Sequence, residues 1–264
     1  MTGAASPPGV VGNSDRLLER IESADGLLAG FDFDGTLAPI RADPDAPTIP
    51  DAVQQPLESL AAQQDVSVAI ISGRQLEDLV VRAPVEGVDY AGNHGLERQF
   101  QGERKVADGA EQYQPLLDDL HSTLRAELAE IPGVRLQDKA LTLTVHVRQT
   151  PAGRVKDVRE TVIERVGDHP ALEMSEGKQV FEIRPAVDHD KGTAMRALRE
   201  RVPDSWLTLY LGDDTTDEDA FEAIQPDAVG IHVGEKTETQ ARYRIANQAE
   251  VADFISWLAE TTEP

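Results

Sequence analysis

The chain of 264 residues carries 48 acidic against 25 basic residues, a formal net charge of -23, and is 40% hydrophobic but only 5% aromatic. A charge of this sign and size, spread along the chain, excludes nucleic acid and anionic membrane surfaces as natural partners. The absence of cysteine removes disulfides, thiolate metal sites and cysteine nucleophiles together.

The length exceeds what one hydrophobic core usually serves, so two domains are expected. The lysines are Lys105, Lys139, Lys156, Lys178, Lys191 and Lys236, and arginine carries most of the positive charge. Two readings of this bias stand open: adaptation to high salt, where screening relieves self-repulsion, or an ordinary acidic protein. Residues 1–12, with Pro7, Pro8, Gly9 and Gly12, lack the basic start and apolar run of a signal peptide and read as a loose tail. No apolar stretch is long enough to cross a bilayer, so a soluble, cytoplasmic protein is expected.

In chain order, Leu27–Phe31 is an apolar run that stops at Asp32, and Val66–Ile71 another that stops at Ser72. Both read as buried strands whose ends meet solvent. Val53–Gln63 and Gln75–Val81 have the three- and four-residue apolar spacing of helices. Glu111–Ile131 reads as a long amphipathic helix with Tyr113, Leu116, Leu117, Leu120, Leu124 and Leu128 on one stripe, stopped by Pro132-Gly133. Ala140–Arg148 alternates as a strand, Ala152–Val166 is helical, and Ala171–Ser175 with Gln179–Arg184 form a predicted hairpin turning at Glu176-Gly177-Lys178. Thr193–Arg201 is again helical, and Leu207–Leu211 is a third buried strand ending at Gly212 and Asp213. The alternation predicts an α/β fold, a doubly wound parallel sheet over 1–100 and 185–264, interrupted by a smaller α/β layer at 101–184. In such sheets ligands gather at the carboxyl ends of the strands, which brings the three polar strand ends to one crevice.

The chemistry concentrates in Phe31-Asp32-Phe33-Asp34-Gly35-Thr36-Leu37. Residues two apart on an extended chain share a face, so Asp32 and Asp34 both project into the crevice. One carboxylate there can attack phosphorus while the other handles the leaving-group proton, with a cation offsetting the negative charge. Gly35 permits a sharp turn whose amides can face a phosphate oxygen. Lys191 sits near a helix start, where the macrodipole disfavours a cation, so a local anion is expected beside it. Asp213 and Asp214 can complete an oxygen-ligand site of the kind magnesium prefers.

The Asp-x-Asp-Gly-Thr string resembles the first motif of the haloacid dehalogenase superfamily of phosphohydrolases. Ser72 in Ile70-Ile71-Ser72-Gly73-Arg74 resembles its second-motif hydroxyl, Lys191 in Asp188-His189-Asp190-Lys191-Gly192 its third-motif lysine, and Gly212-Asp213-Asp214-Thr215-Thr216-Asp217-Glu218 its acidic fourth motif. Within the superfamily, Ser72-Gly73-Arg74, Gly92-Asn93-His94-Gly95-Leu96-Glu97, Glu176-Gly177-Lys178 and Phe181-Glu182-Ile183-Arg184-Pro185 resemble the trehalose-6-phosphate phosphatase family. The resemblance implies a Rossmann-like core with an α/β cap that closes over a disaccharide. It also implies hydrolysis of trehalose 6-phosphate through an aspartyl-phosphate on Asp32, with Asp34 as acid and base and Ser72 and Lys191 on the phosphoryl oxygens. Magnesium would bind Asp32, the carbonyl of Asp34, and Asp213, with Asp214 in support. Arg148, Glu176, Lys178 and Glu182 of the cap, Asn93 and His94 at the crevice, and Arg74 near the hinge are the candidate sugar contacts. A monomer is expected, and a partner synthase is compatible with the family. Phosphatases for sucrose-, glucosylglycerol- or mannosylglycerate-phosphate share this core chemistry, and a silent sugar-phosphate-binding subunit would not need the nucleophile.

Overall fold

The computed structural model describes residues 9–10, 14–235 and 238–263. The chain begins with α1 (Ser14–Glu22), β1 (Leu27–Asp32), α2 (Asp51–Ala61), β2 (Val66–Ile71), α3 (Leu76–Arg82), β3 (Asp89–Gly92), β4 (Glu97–Phe100) and β5 (Glu103–Val106). It continues through α4 (Gln114–Glu127), β6 (Arg135–Asp138), β7 (Leu143–His146), α5 (Ala152–Gly167), β8 (Leu172–Gly177) and β9 (Val180–Pro185). It ends with α6 (Lys191–Arg199), β10 (Leu207–Gly212), α7 (Asp217–Ala223), β11 (Val229–Val233), β12 (Tyr243–Ile245) and α8 (Val251–Thr262). Two compact units result: residues 1–105 with 189–264, and 106–188. The second begins at Val106, the last residue of β5, where the sequence reading placed the smaller layer at 101–184.

The first unit is built on an eight-stranded sheet in the order β12-β11-β10-β1-β2-β3-β4-β5. It is parallel from β12 to β3, and β4 runs antiparallel to β3. The strand order reverses direction of growth around β1, so helices cover both faces. Alternation along each strand decides which side chain meets which helix layer. Leu27, Ala29 and Phe31 of β1 join Val68, Ile70, Leu209 and Leu211 in a core closed by Leu17 of α1, Leu57 of α2, Leu79 of α3 and Leu258 of α8. Leu28, Ala69, Ile71 and Tyr210 point the other way, against Met195 of α6 and Phe221 of α7. This is the doubly wound architecture with which β-strands buried on both faces become continuous apolar runs.

Of the segment read as a loose tail, residues 1–8 and 11–12 lie outside the described residues, whereas Gly9 and Val10 are ordered beside β12. Gly9 forms a parallel bridge with Arg244, the Val10 amide donates to the Arg244 carbonyl at 2.9 Å, and the Val10 side chain is buried. An apolar side chain and an unpaired sheet edge give this short segment its place.

The second unit holds a four-stranded antiparallel sheet, β6-β7-β9-β8. Leu143, Val145, Phe181 and Ile183 on one face pack with Leu117, Leu120 and Leu124 of α4 and Val158 and Val162 of α5. The hairpin turns one step later than its glycine suggested: Gly177 pairs with Val180, so Glu176 lies within β8 and the turn is Lys178-Gln179. Gln179, not Gly177, takes the left-handed backbone, at φ 65. Among the described residues no helix is long and apolar enough to cross a membrane.

Candidate active site

Asp32 closes β1 and is 4% exposed. The parallel register pairs it with Ile71, so Ser72 follows on the next strand, and pairs Phe31 with Leu211, so Gly212 and Asp213 follow on the strand at its other side. The three polar strand ends therefore come together by register alone. Asp32 belongs to the strand face covered by α6, whose first residue is Lys191. That helix start is fixed by a reciprocal cap: the Asp190 carboxylate accepts from the Thr193 amide at 2.6 Å, and the Thr193 hydroxyl accepts from the Asp190 amide at 3.0 Å.

Lys191 is a buried cation at the end of a helix that repels it. The expected anion is present twice, since its ammonium donates to Asp32 Oδ1 and to Asp217 Oδ1, each at 2.7 Å. Asp217, at the start of α7, is the residue that sequence reasoning quoted in a motif but gave no role. It is fully buried, and its four acceptances organise the site: Oδ1 takes Lys191 and the Tyr210 hydroxyl, and Oδ2 takes the Asp213 and Asp214 amides. The loop between β10 and α7 is thereby folded back on its own helix start. Gly212 makes this possible, because a Cβ there would lie 2.3 Å from Asp217 Cγ.

The two carboxylates on Lys191 differ in their electrostatics. Burial pushes Asp32 well above the usual carboxylate range, Asp217 and Asp213 push it the same way, and Lys191 opposes them. Burial would raise Asp217 too, but Lys191, the Asp214 amide and the Tyr210 hydroxyl outweigh it and hold the acid below its ordinary value. Lys191 itself stands well above the usual lysine range, since Asp217 and Asp32 overcome the effect of burial.

Three carboxylates around one ammonium leave negative charge in excess. One oxygen each of Asp32, Asp213 and Asp217 lies within 4.8 Å of the others. Asp217 has both oxygens engaged by hydrogen-bond donors, whereas Asp32 Oδ2 is buried without a hydrogen-bond partner. A buried, unsatisfied carboxylate oxygen beside a second buried carboxylate fits a hard cation, which takes oxygen ligands. Gly35 adds to the fit. Its φ is +95, a left-handed backbone, and a Cβ there would lie 2.2 Å from Asp213 Oδ2. Asp214, read from sequence as supporting the ion, has its Oδ1 accepting from the Thr215 amide at 2.8 Å.

Ser72 is 1% exposed and is held by its backbone, with its amide on the Ala91 carbonyl and its carbonyl accepting from the His94 amide. Asn93 and His94 are buried and both left-handed, at φ 47 and φ 56. The Asn93 amide donates to the Arg74 carbonyl at 2.6 Å, and its side-chain amide donates to Glu97 at 2.6 Å. This turn is thus built against the Ser72-Gly73-Arg74 segment. Arg74, read from sequence as a sugar contact, has its guanidinium committed within the first unit. Nε and Nη2 donate to Asp34 Oδ2 and Oδ1 at 2.6 and 2.7 Å, Nη1 to Asp78 at 2.9 Å, and Nη2 also to the Pro44 carbonyl at 2.9 Å. Asp34 therefore stands two residues after Asp32 in the grip of an arginine fork.

In the second unit, Glu182 lies on the sheet face opposite the core and accepts from Lys139 at 3.3 Å, both side chains largely buried. Lys139 was not singled out in the sequence, because its burial is set by the fold and nothing local in the sequence announces it. Thr144 pairs with Glu182 across the strands. Glu176 is exposed and ion-paired with Arg159 of α5 at 2.7 Å. Arg148 follows β7 instead of ending it, and its Nη2 lies 3.4 Å from the Lys178 carbonyl. Lys178 itself is exposed at the turn.

A family model described as trehalose-phosphatase matches residues 30–250, which contain every residue of the site above. The chain belongs to the trehalose-phosphatase family. It is similar to a trehalose-phosphate phosphatase of Mycobacterium marinum, 37% identical over 256 residues, a match covering 92% of this chain and 65% of the relative. The match to the relative of the same description from Mycobacterium tuberculosis H37Rv is also 37% identical and covers 65% of that protein. The chain thus spans about 65% of the length of the curated relatives it matches. Among solved structures, the C-terminal domain of Candida albicans trehalose-6-phosphate phosphatase superposes with a TM-score of 0.81 at 25% identity, covering 97% of this chain and 99% of that one. The family thus shares the parallel-sheet core of the haloacid dehalogenase fold together with the separate small antiparallel sheet.

Proposed function

We propose that this chain is a phosphatase that hydrolyses trehalose 6-phosphate to trehalose and phosphate, with Asp32 as nucleophile. The observation that carries the reading is Asp32 itself, a buried strand-end carboxylate with one oxygen on Lys191 and the other without a hydrogen-bond partner. Family membership supports the substrate. Asp32 attacks phosphorus in line, the bond to the sugar oxygen breaks, and Asp34 gives that oxygen its proton. Asp34 then takes a proton from the water that hydrolyses the aspartyl-phosphate. Ser72 and Lys191 stabilise charge on the transferring oxygens.

Magnesium is the proposed cofactor, held by Asp32, Asp213 and the Asp34 carbonyl, and it would supply charge neutralisation for attack by one anion on another. Asn93 and His94, buried against Ser72, are proposed to shape the phosphate end of the site. Arg148, Lys178, Glu176 and Glu182 are proposed as the source of sugar contacts, Glu182 with Lys139 as its partner. Unpaired donors and acceptors in such a set would penalise a wrong sugar.

The test is phosphate release from a panel of sugar phosphates. Trehalose 6-phosphate is expected to show the highest kcat/KM, by about 100-fold or more over glucose 6-phosphate and sucrose 6-phosphate, the range that unsatisfied polar contacts permit. Chelation should abolish release and added magnesium restore it. A higher kcat/KM for another sugar phosphate would reassign the substrate, and release unaffected by chelation would remove the metal.

A further inference from the structure

Asp78 and Arg82 stand four residues apart on one side of α3, and Arg74 precedes the helix by two residues. Their charges alternate, and so do their contacts. Asp78 Oδ2 accepts from Arg74 Nη1 at 2.9 Å, and both Asp78 oxygens accept from Arg82 Nε at 2.7 Å. Arg82 in turn donates to the carbonyls of Asp45 and Pro47, and Arg74 to that of Pro44. Asp78 is thus the centre of a clamp whose two arginines grip the loop after the Asp34 turn. The two arms carry different loads. Arg82 reaches only the loop and Asp78, while Arg74 reaches Asp34 with two parallel N–H donors, lies with its Cζ 5.3 Å from the Phe33 ring centre, and is 8% exposed.

A guanidinium fork fixes the plane of the carboxylate it binds. The fork's own orientation is fixed only if its remaining donors are held. The Asp34 side chain is 35% exposed, and among the described residues the side-chain donors on its carboxylate are those of Arg74. Nη1 of Arg74 is the donor that does not touch Asp34, and Asp78 is what it touches.

We propose that Asp78 is a positioning residue for the acid–base step: through Arg74 it aims the Asp34 carboxylate at the leaving oxygen. This rests on the reading of Asp34 as the general acid. Asp78 touches no reacting atom, so its effect should follow the demand for a proton. An alkoxide leaving from a sugar needs protonation, whereas 4-nitrophenolate does not. In the phosphoryl-transfer half-reaction a misaimed acid therefore costs the first substrate and spares the second, whereas hydrolysis of the aspartyl-phosphate, which Asp34 serves as base, is common to both.

The experiment compares Asp78→Asn, Asp78→Glu and Asp34→Asn with the parent in single-turnover release of the leaving group, trehalose from trehalose 6-phosphate and 4-nitrophenolate from 4-nitrophenyl phosphate, which precedes hydrolysis of the aspartyl-phosphate, with thermal melting alongside. Asp78→Asn is expected to slow leaving-group release from the sugar phosphate about 10- to 100-fold and from the aryl phosphate less than about 3-fold, the scale of a displaced catalytic group. Asp78→Glu keeps the charge and should recover the sugar-phosphate rate to within about 3-fold. Asp34→Asn is the reference and should show the same selectivity, larger. Equal losses on both substrates, or no loss, in a folded Asp78→Asn protein would overturn the proposal while leaving Asp34 in its role. Loss of selectivity in Asp34→Asn itself would remove the acid assignment, and this inference with it.

Discussion

Asp32→Asn is expected to lower phosphate release by about 10⁴-fold or more, the scale on which removing the nucleophile of a catalytic unit is felt. The substitution keeps the shape and one hydrogen-bond acceptor for Lys191 but removes the nucleophilic charge. Stability should not fall with activity. Burial raises the folded-state pKa of Asp32 above its unfolded value, and a carboxylate shifted in that direction takes stability away as pH rises through the interval between the two. At neutral pH the ionised form is a cost that the amide removes, so the melting temperature of Asp32→Asn without metal should equal or exceed that of the parent. Release within about 10-fold of the parent would end the nucleophile assignment; a folded protein with a lowered melting temperature would contradict the electrostatic reading of the site.

The second large effect is expected from Lys191→Met. The ammonium is the shared partner of two buried carboxylates, and methionine fills its volume without its charge. Breaking a buried pair by removing one partner is costly, and here Asp32 loses its ammonium while Asp217 keeps the Tyr210 hydroxyl and two amides, so a loss of about 3–5 kcal/mol in unfolding free energy is expected together with loss of phosphate release. Denaturant titration of the metal-free protein measures it. Adding Asp217→Asn to Lys191→Met should return part of that stability, because the two sites are coupled and a double-mutant cycle reads the coupling directly. A stability change under about 1 kcal/mol for Lys191→Met would show that the triad carries little of the fold, against the scale for buried pairs.

The strand ends of the candidate site were legible because each is a local event, an apolar run that stops at Asp32, Ser72 or Gly212-Asp213, and parallel register then aligns what the runs began. Lys191 was legible for a different reason, the conflict between its charge and a helix start, which the structure resolves with Asp32 and Asp217. What remained hidden is pairing between distant side chains. Asp217 reads locally as an acid in the first turn of a helix, where carboxylates are common, and nothing in its neighbourhood announces Lys191, 26 positions away. Arg74 reads as a loop cation near a ligand, yet its partners Asp34 and Asp78 are set by how the loop after β2 packs on Phe33. The cap turn misled through its glycine: Gly177 continues the strand, and Gln179 takes the left-handed conformation.

The most direct measurement is to identify which side chain is transiently phosphorylated. Turnover with trehalose 6-phosphate, quenched in acid and reduced with borohydride, converts an aspartyl-phosphate to homoserine, and peptide mass spectrometry locates it. Homoserine at position 32, absent without substrate and absent in Asp32→Asn, is the expected result. Homoserine at position 34 or 213, or none anywhere during active turnover with the intermediate trapped in a control phosphatase, would contradict the assignment of Asp32 as the group that carries the phosphate.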